Sequence, residues 1–374
     1  MPEIWVPYGA VEVAIDIRAE NLLEVVEKPR SALTDEEVEQ RIAPLNLSGK
    51  IAILIADDDE PCLKAAKILG NYLVGENIQQ ADAQFIASRR SVNLVRKRLE
   101  GLPFRVSTFT SEGKIMADVY GDANTKILLS QTGLDGLFGF SGGSVSLARA
   151  LESRDVGESF LTNPPHQPAP GTNTEASKKL WEVAGQMTDI QSVEVVPSYD
   201  DIAELIVGDI QSVQKSAEEK FLATSKVITE KTRSVILSPG NKRVGATLSS
   251  SVRSIWNLLG GLKERSTVAI VSECNEGLGN EAFRLYAIGK LDETTLARSS
   301  KYVEGLEDLI FLREVSKMHQ IVLVSTLPKY YVESRFNLKN GKKSSDALNY
   351  LLSSQGQRTR VLVVPQASET LLES

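Results

Sequence analysis

The chain has 374 residues with 42 Lys plus Arg against 49 Asp plus Glu, so it is long enough for two hydrophobic cores, and its net charge of −7 excludes broad phosphate-backbone binding to nucleic acid. An apolar fraction of 42% with 24% charged residues is ordinary for a globular protein, and no apolar run is long enough to cross a bilayer. The opening MPEIWVPYGAVEVAID has neither a basic start nor an apolar signal core, which predicts a cytoplasmic protein without membrane contact.

In chain order, Thr34 followed by Asp35, Glu36 and Glu37 opens a helix, because acids in the first turn complement its dipole. Ile51 to Ala56 is a continuous apolar strand that runs into IADDDEP, Ile55 to Pro61. Four consecutive acids, Asp57 to Glu60, form a solvated acidic turn or, less simply, collect a hard cation such as Mg²⁺ or Ca²⁺. Alternation at a strand end would aim them apart. The basic run Arg89, Arg90, Arg96, Lys97, Arg98 has helical spacing and reads as a solvated face.

The strand Ile127 to Ser130 leads to GLDGLFGFSGGSVSL, Gly133 to Leu147, a Gly-rich turn before an Ala/Leu helix segment from Val145 to Leu151. Glycines there can take φ > 0 and bring backbone N–H groups near an anion at a helix N-terminus, but a tight strand-to-helix turn explains the same spacing. Asn163 to Gly171, NPPHQPAPG, is a semi-rigid loop because of its prolines. Further strands are expected at Val193 to Val196, Val235 to Leu237, Thr267 to Val271, Ile321 to Ser325 and Val361 to Val364. A charged helix from Ile210 to Thr232 marks a boundary between two domains, 1–232 and 233–374. Ser345 and Asp346 open a helix through Leu352 that ends near Gly356. Apolar strands alternating with helices give the class: α/β, two lobes with largely parallel sheets covered by helices and a cleft between them.

Two cysteines, Cys62 and Cys274, lack metal-ligand spacing and read as free buried thiols. In the second lobe, Thr247 to Arg253 (TLSSSVR) places hydroxyls near a helix start and Arg253 beside them, an arrangement able to receive an anion. ECNEGLGNEAF holds Glu276, Gly277, Gly279 and Glu281 after a strand, where open α/β sheets place ligands.

GFSGG, Gly139 to Gly143, resembles the signature of the nickel-pincer nucleotide-dependent lactate racemase family, which continues GFSGGRKS. Tyr8-Gly9, Asp57, Pro61, Phe160 to Pro164, Gly208-Asp209, Val252 with Arg253, and Gly277 to Phe283 fall in the family's order over nearly the whole chain. The resemblance implies a racemase fold and a cofactor tethered to the lysine of that motif. Here Val145 stands at the lysine position, which argues against a covalent nickel-pincer nucleotide. It also implies two catalytic histidines and a further one for nickel, at positions that fall here on Ser88 or Arg89, on Asp135, and on Val156 or Asp155. Of the two histidines, His319 reads as structural and His166 lies in the proline-rich loop. Glu60 reverses the charge of the family's arginine in the carboxylate-binding loop.

The expectation is therefore a diverged, lactate racemase-like protein that is not itself a lactate racemase, with a residual small-anion or nucleotide site between its domains. Gly139, Ser141, Gly142, Gly143, Ser250, Arg253, Gly277 and Gly279 are the binding candidates; Asp57, Asp135 and Glu276 are the acid/base candidates; no metal ligands are assigned. Two alternatives stay open: an isomerase acting as racemase or epimerase on a 2-hydroxy acid, and a non-catalytic subunit of a homo- or hetero-oligomer with a catalytic relative.

Overall fold

A computed structural model describes residues 3–108, 120–151, 154–162, 167–240, 243–292 and 302–374. His166 and the first part of the proline-rich loop, residues 163–166, lie outside the described residues. Two six-stranded sheets organise the chain. The first has the spatial order Asp201–Asp209, Ile190–Ser198, Thr125–Gln131, Ile51–Ile55, Ala83–Ala87, Arg105–Thr108. Its pairings are parallel except for the hairpin that adds Asp201–Asp209 at one edge. The second is parallel throughout, ordered Lys339–Gly341, Gln320–Val324, Leu262–Val271, Thr232–Leu237, Val361–Val364, Leu22–Val25.

Parallel strands need crossover helices, so both faces of each sheet are covered and several strands are continuous apolar runs. Ile51–Ile55 and Val361–Val364 are buried residue by residue. On the first sheet, Asp35–Ile42, Glu60–Gly75 and Val92–Arg98 cover one face. Gly143–Ala150, Glu175–Gly185 and Ile210–Ser225 cover the other. On the second, Ser344–Gln355 and the hairpin Glu3–Tyr8/Val11–Asp16 close one face. The opposite face packs on Leu248–Trp256, Glu281–Ala287 and Leu306–Met318.

Local signals behave as physics requires. Thr34 and Glu37 form a reciprocal capping box, Glu37 N donating to Thr34 Oγ1 at 3.2 Å and Thr34 N to Glu37 Oε2 at 2.8 Å. The last helix stops at Gly356, whose φ of 95° needs no Cβ.

Three expectations are corrected. The helix expected over 210–232 ends at Ser225, because Lys226–Ile228 turns extended and pairs with Leu371–Glu373 near the end of the chain. Leu22–Val25 precedes the first sheet in sequence yet forms the edge of the second beside Val361–Val364, and the hairpin Glu3–Tyr8/Val11–Asp16 packs on that sheet's face. The two sheets therefore do not divide at one point near residue 232. Finally, the GFSGG segment is not a simple turn: Gly139–Ser141 pairs antiparallel with Gly133–Asp135 before the helix begins.

One apolar cluster crosses between the lobes. Leu137, Phe138, Val145, Ala148, Phe160 and Leu180 from the first join Trp256, Phe283, Leu309 and Phe311 from the second. The rings of Trp256 and Phe311 meet edge-on at 5.8 Å, and Phe160 lies 5.4 Å from Tyr302.

Candidate functional site

Both sheets direct the C-terminal ends of their central strands toward a cavity of about 560 Å³. Its walls include Asp57, Asp135 and Arg149 from the first lobe and Arg243, Arg253 and Glu276 from the second. Loops at strand C-termini are where open α/β sheets bind ligands.

The acidic run supplies one wall, and its side chains diverge. Asp58 receives Arg243 Nη2 at 2.6 Å across the cleft, while Arg243 Nη1 holds Glu276 Oε1 at 3.1 Å. Glu60 pairs with Arg98, so its reversed charge is balanced from within its own lobe. Asp57 accepts from the backbone N–H of Gln131 at 2.9 Å, and the Gln131 amide nitrogen stands 3.5 Å from Asp59. Four neighbouring acids thus face four different surroundings, and among the described residues no group of three or more His, Cys, Asp or Glu side chains is placed to hold a metal ion.

Enclosure between the lobes raises Asp57 to about 6, against the opposing pull of the Gln131 N–H and the Ser146 hydroxyl. The same burial, together with the negative charge of Asp58 and Asp57, raises Asp59 to about 7. Each carboxyl can therefore exchange a proton near neutrality.

Beside it runs an ion chain of buried acids and partly exposed arginines. Arg149, on the helix Gly143–Ala150, holds Asp135 of its own lobe and Glu307 of the other, each at 2.9 Å. Its guanidinium also lies over the Phe138 ring, 5.0 Å from the centroid. Asp135 Oδ1 accepts the backbone N–H groups of Leu137 and Phe138 at 2.8 and 2.9 Å. Burial alone would raise the Asp135 carboxyl, but Arg149 and Arg253 outweigh it and hold the group below its ordinary value. Arg253 Nε reaches Asp308 at 2.7 Å, and that attraction raises the guanidinium further. Burial raises Glu307 and Asp308.

The glycine segment is packed against the protein's own groups. A Cβ on Gly139 would stand 1.7 Å from the carbonyl oxygen of Thr172, and one on Gly142 would stand 2.1 Å from Glu194 Oε1. Glu194 is fully buried behind the turn, accepting from Ser130, from Thr132 Oγ1 at 2.6 Å and from Gly143 N at 3.0 Å. Burial raises this carboxyl to about 7 despite those donors. Ser144 N donates to Gln214 Oε1 at 2.9 Å, so the first N–H groups of the helix already have acceptors. On this helix Ser146 and Arg149 line the cavity, whereas Val145, only 1% exposed, lies in the apolar interlobe cluster.

Across the cleft, Thr247 caps the helix Leu248–Trp256, its Oγ1 accepting Ser250 N at 3.2 Å. Ser250, Arg253 and Ser254 of that helix line the cavity. The Ser254 hydroxyl is buried and has no hydrogen-bond partner among the described residues.

Of the residues expected at the site, Asp57, Asp135, Glu276, Ser141, Ser250 and Arg253 meet around one cavity. Gly139, Gly142, Gly143, Gly277 and Gly279 shape adjacent turns without lining it. Gly279 is confined by Ser249 and Thr247; Gly277, at φ 88°, has open space beside it. Ser88 and Arg89 line the cleft, and Val156 is core. His319 precedes Gln320–Val324, at the end of the sheet away from the cleft, with burial lowering its pKa. The solvated basic face is corrected in part: Arg89 and Arg90 precede the helix and line the cleft, and Arg90 pairs with Glu304.

Sequence reasoning missed Arg149, Arg243 and Glu194. Arg149 carried a weak signal as a lone cation on an otherwise Ser/Ala/Leu segment. Glu194 carried another, a carboxylate inside a β-branched strand.

No family model matches this chain, and no curated protein matches it in sequence. Solved structures do match in shape. The lactate racemase apoprotein from Thermoanaerobacterium thermosaccharolyticum aligns over 100% of both chains with a TM-score of 0.79 at 16% identity. A structural-genomics protein from Thermotoga maritima has a TM-score of 0.67 at 12% identity, over 93% of this chain and 100% of its own. The chain thus has a lactate racemase-like α/β fold.

Three outcomes test this description. Arg149→Met leaves Asp135 and Glu307 buried without their cation and should lower unfolding free energy by roughly 3–5 kcal/mol in urea titrations. Val145→Lys puts an ammonium into an apolar cluster and should cost about 3 kcal/mol or more; a neutral result would mean the side chain reaches the cleft instead. Asp59 has a folded pKa raised above its unfolded value, so the folded form holds the proton more tightly and stability declines as pH climbs from about 4 through about 7. Asp59→Asn, which loses no capping bond, should be about 2 kcal/mol more stable than the parent at about pH 8, with the gap closing toward pH 4 in thermal melts.

Proposed function

We propose that this protein binds a small anion-bearing molecule in the cleft between its lobes, and that it is a diverged relative of the lactate racemases that does not catalyse lactate racemisation. One observation carries the reading: the 560 Å³ cavity at the strand C-termini is lined by residues of both lobes, five of them arginines. Ser250 in the first turn of a capped helix, with Arg253 one turn further along the same side, would receive the anionic group. Asp57 and Asp59 would stand opposite as proton-exchanging groups.

The residues present do not fit a lysine-tethered nickel-pincer nucleotide. Val145 offers no nucleophile and is enclosed by Leu137, Phe138 and their neighbours. Among the described residues no histidine lines the cavity, so the imidazoles that the family resemblance implies for proton transfer and nickel have no counterpart there. No step through that cofactor is derived.

A second reading, an isomerase on a 2-hydroxy acid with Asp57 or Asp59 moving the proton, is favoured by the displacement of both carboxyls toward neutrality. It differs from the first in requiring turnover.

Calorimetric titration with lactate, malate and mononucleotides, beside chiral chromatography of the hydroxy acids after incubation, separates the two. Binding without inversion at C2, weakened about tenfold or more by Arg253→Ala, supports the binding protein. Inversion that disappears in Asp57→Asn supports the isomerase, and lactate racemisation by the unaltered chain would overturn the proposal.

A further inference from the structure

We infer that the molecule held in the cleft is a small zwitterion, with its cationic nitrogen on the Asp57 and Asp59 carboxylates and its anionic end at Arg253 and Ser254. The inference rests on the reading of this cleft as a small-molecule site and adds the chemistry of the ligand.

It begins with how the charges around the cavity are committed. Of the five arginines, Arg90 is held by Glu304, Arg149 by Asp135 and Glu307, Arg243 by Asp58 and Glu276, and Arg253 through Nε by Asp308, while the exposed Arg89 makes no ion pair among the described residues. Asp57 and Asp59 differ: their hydrogen bonds come from Gln131 and Ser146, and among the described residues neither has a Lys or Arg within ion-pair distance. A ligand carrying only negative charge would add a further anion beside two acids that no Lys or Arg contacts directly. An ammonium group supplies one, with N–H donors for both carboxylates.

The other end of the ligand is indicated independently. Ser254 is 1% exposed, lines the cavity, and its hydroxyl makes no hydrogen bond among the described residues. A buried hydroxyl without a partner is costly, and an acceptor on the ligand satisfies it. Arg253 adjoins it, with Nε committed to Asp308 and Nη1 and Nη2 outside that contact. A carboxylate accepts from both.

The arrangement fixes a pH signature. Asp57 and Asp59 are faced by Asp58, Arg149, Arg243, Glu194, Glu369 and Cys62. Enclosed in this way, the two acids keep protons up to about 6 and about 7. An ammonium group must displace those protons, so its binding strengthens as pH rises, whereas a simple carboxylate binds better while the acids are protonated.

Calorimetric titration of the full chain with matched pairs tests this: L-alanine against L-lactate, and L-aspartate against L-malate, at about pH 5.5 and about pH 8. The expected result is that an amino member binds about tenfold or more tightly than its hydroxy partner at the higher pH, and about tenfold more tightly there than at the lower pH. Asp59→Asn should remove the preference between partners, while Ser254→Ala weakens both alike. Asp57→Asn should act like Asp59→Asn; if it does not fold, the pH profile of the unaltered chain and Asp59→Asn decide. A hydroxy member that binds as tightly as its amino partner, or an amino-acid affinity indifferent to pH, overturns the zwitterion and leaves the small-anion reading standing. No binding by either member of either pair overturns the zwitterion, and absence of binding by mononucleotides as well removes the small-anion reading with it.

Discussion

Arg149 is the residue on which the arrangement of the two lobes turns. It is the one side chain on its helix that holds a carboxylate from each lobe, Asp135 and Glu307, at 2.9 Å. Buried ion pairs contribute little net stability compared with apolar packing, but removing one member leaves an uncompensated charge and is expensive. Such a pair therefore specifies where surfaces meet more than it holds them together. The apolar cluster around Trp256, Phe311 and Phe138 supplies the bulk of the burial; Arg149 selects the register in which that cluster can close.

Helical periodicity makes the rest follow. With Arg149 turned to the cleft, the residue one turn before it, Ser146, also faces the cleft, and Ser146 reaches Asp57. Val145, four residues before Arg149, and Ala148 pack into the interlobe core on the adjoining side of the helix. The valine at this position is consistent with its surroundings, since a long cation there would have to leave an apolar pocket or bury its charge.

Much of the frame is legible in the sequence because it depends on local pattern. Runs such as Ile51–Ile55 and Val361–Val364 are apolar at every residue, as parallel strands covered on both faces must be. Leu22–Val25 is a short edge strand with exposed or half-buried residues, so it carries no such pattern, and its partner lies far along the chain. Asp57, Asp135, Glu276 and Arg253 are legible as candidates because strand ends and helix starts mark where chemistry gathers. Their charge balance is not. Arg149 and Glu307 are 158 residues apart, as Arg243 and Asp58 are 185, and only folding decides which arginine meets which acid. Glu60 shows the effect in miniature: read alone it reverses a charge, yet Arg98 restores it from a neighbouring helix.

The glycine segment shows why a motif's shape and its chemistry have to be argued separately. Positive φ at Gly139, Gly142 and Gly143 is real, and each position lacks room for a Cβ. What fills that room is Thr172, Glu194 and Gln214, groups of the protein itself. Glu194 takes the place that an anion would have at this helix N-terminus, accepting from Gly143 N and from two hydroxyls. A carboxylate seated there neutralises the helix end without any ligand, and it leaves the ligand-binding work to the side chains around the cavity. The glycines thus account for how closely the turn packs, while the acids and arginines lining the cleft account for what the cleft can bind.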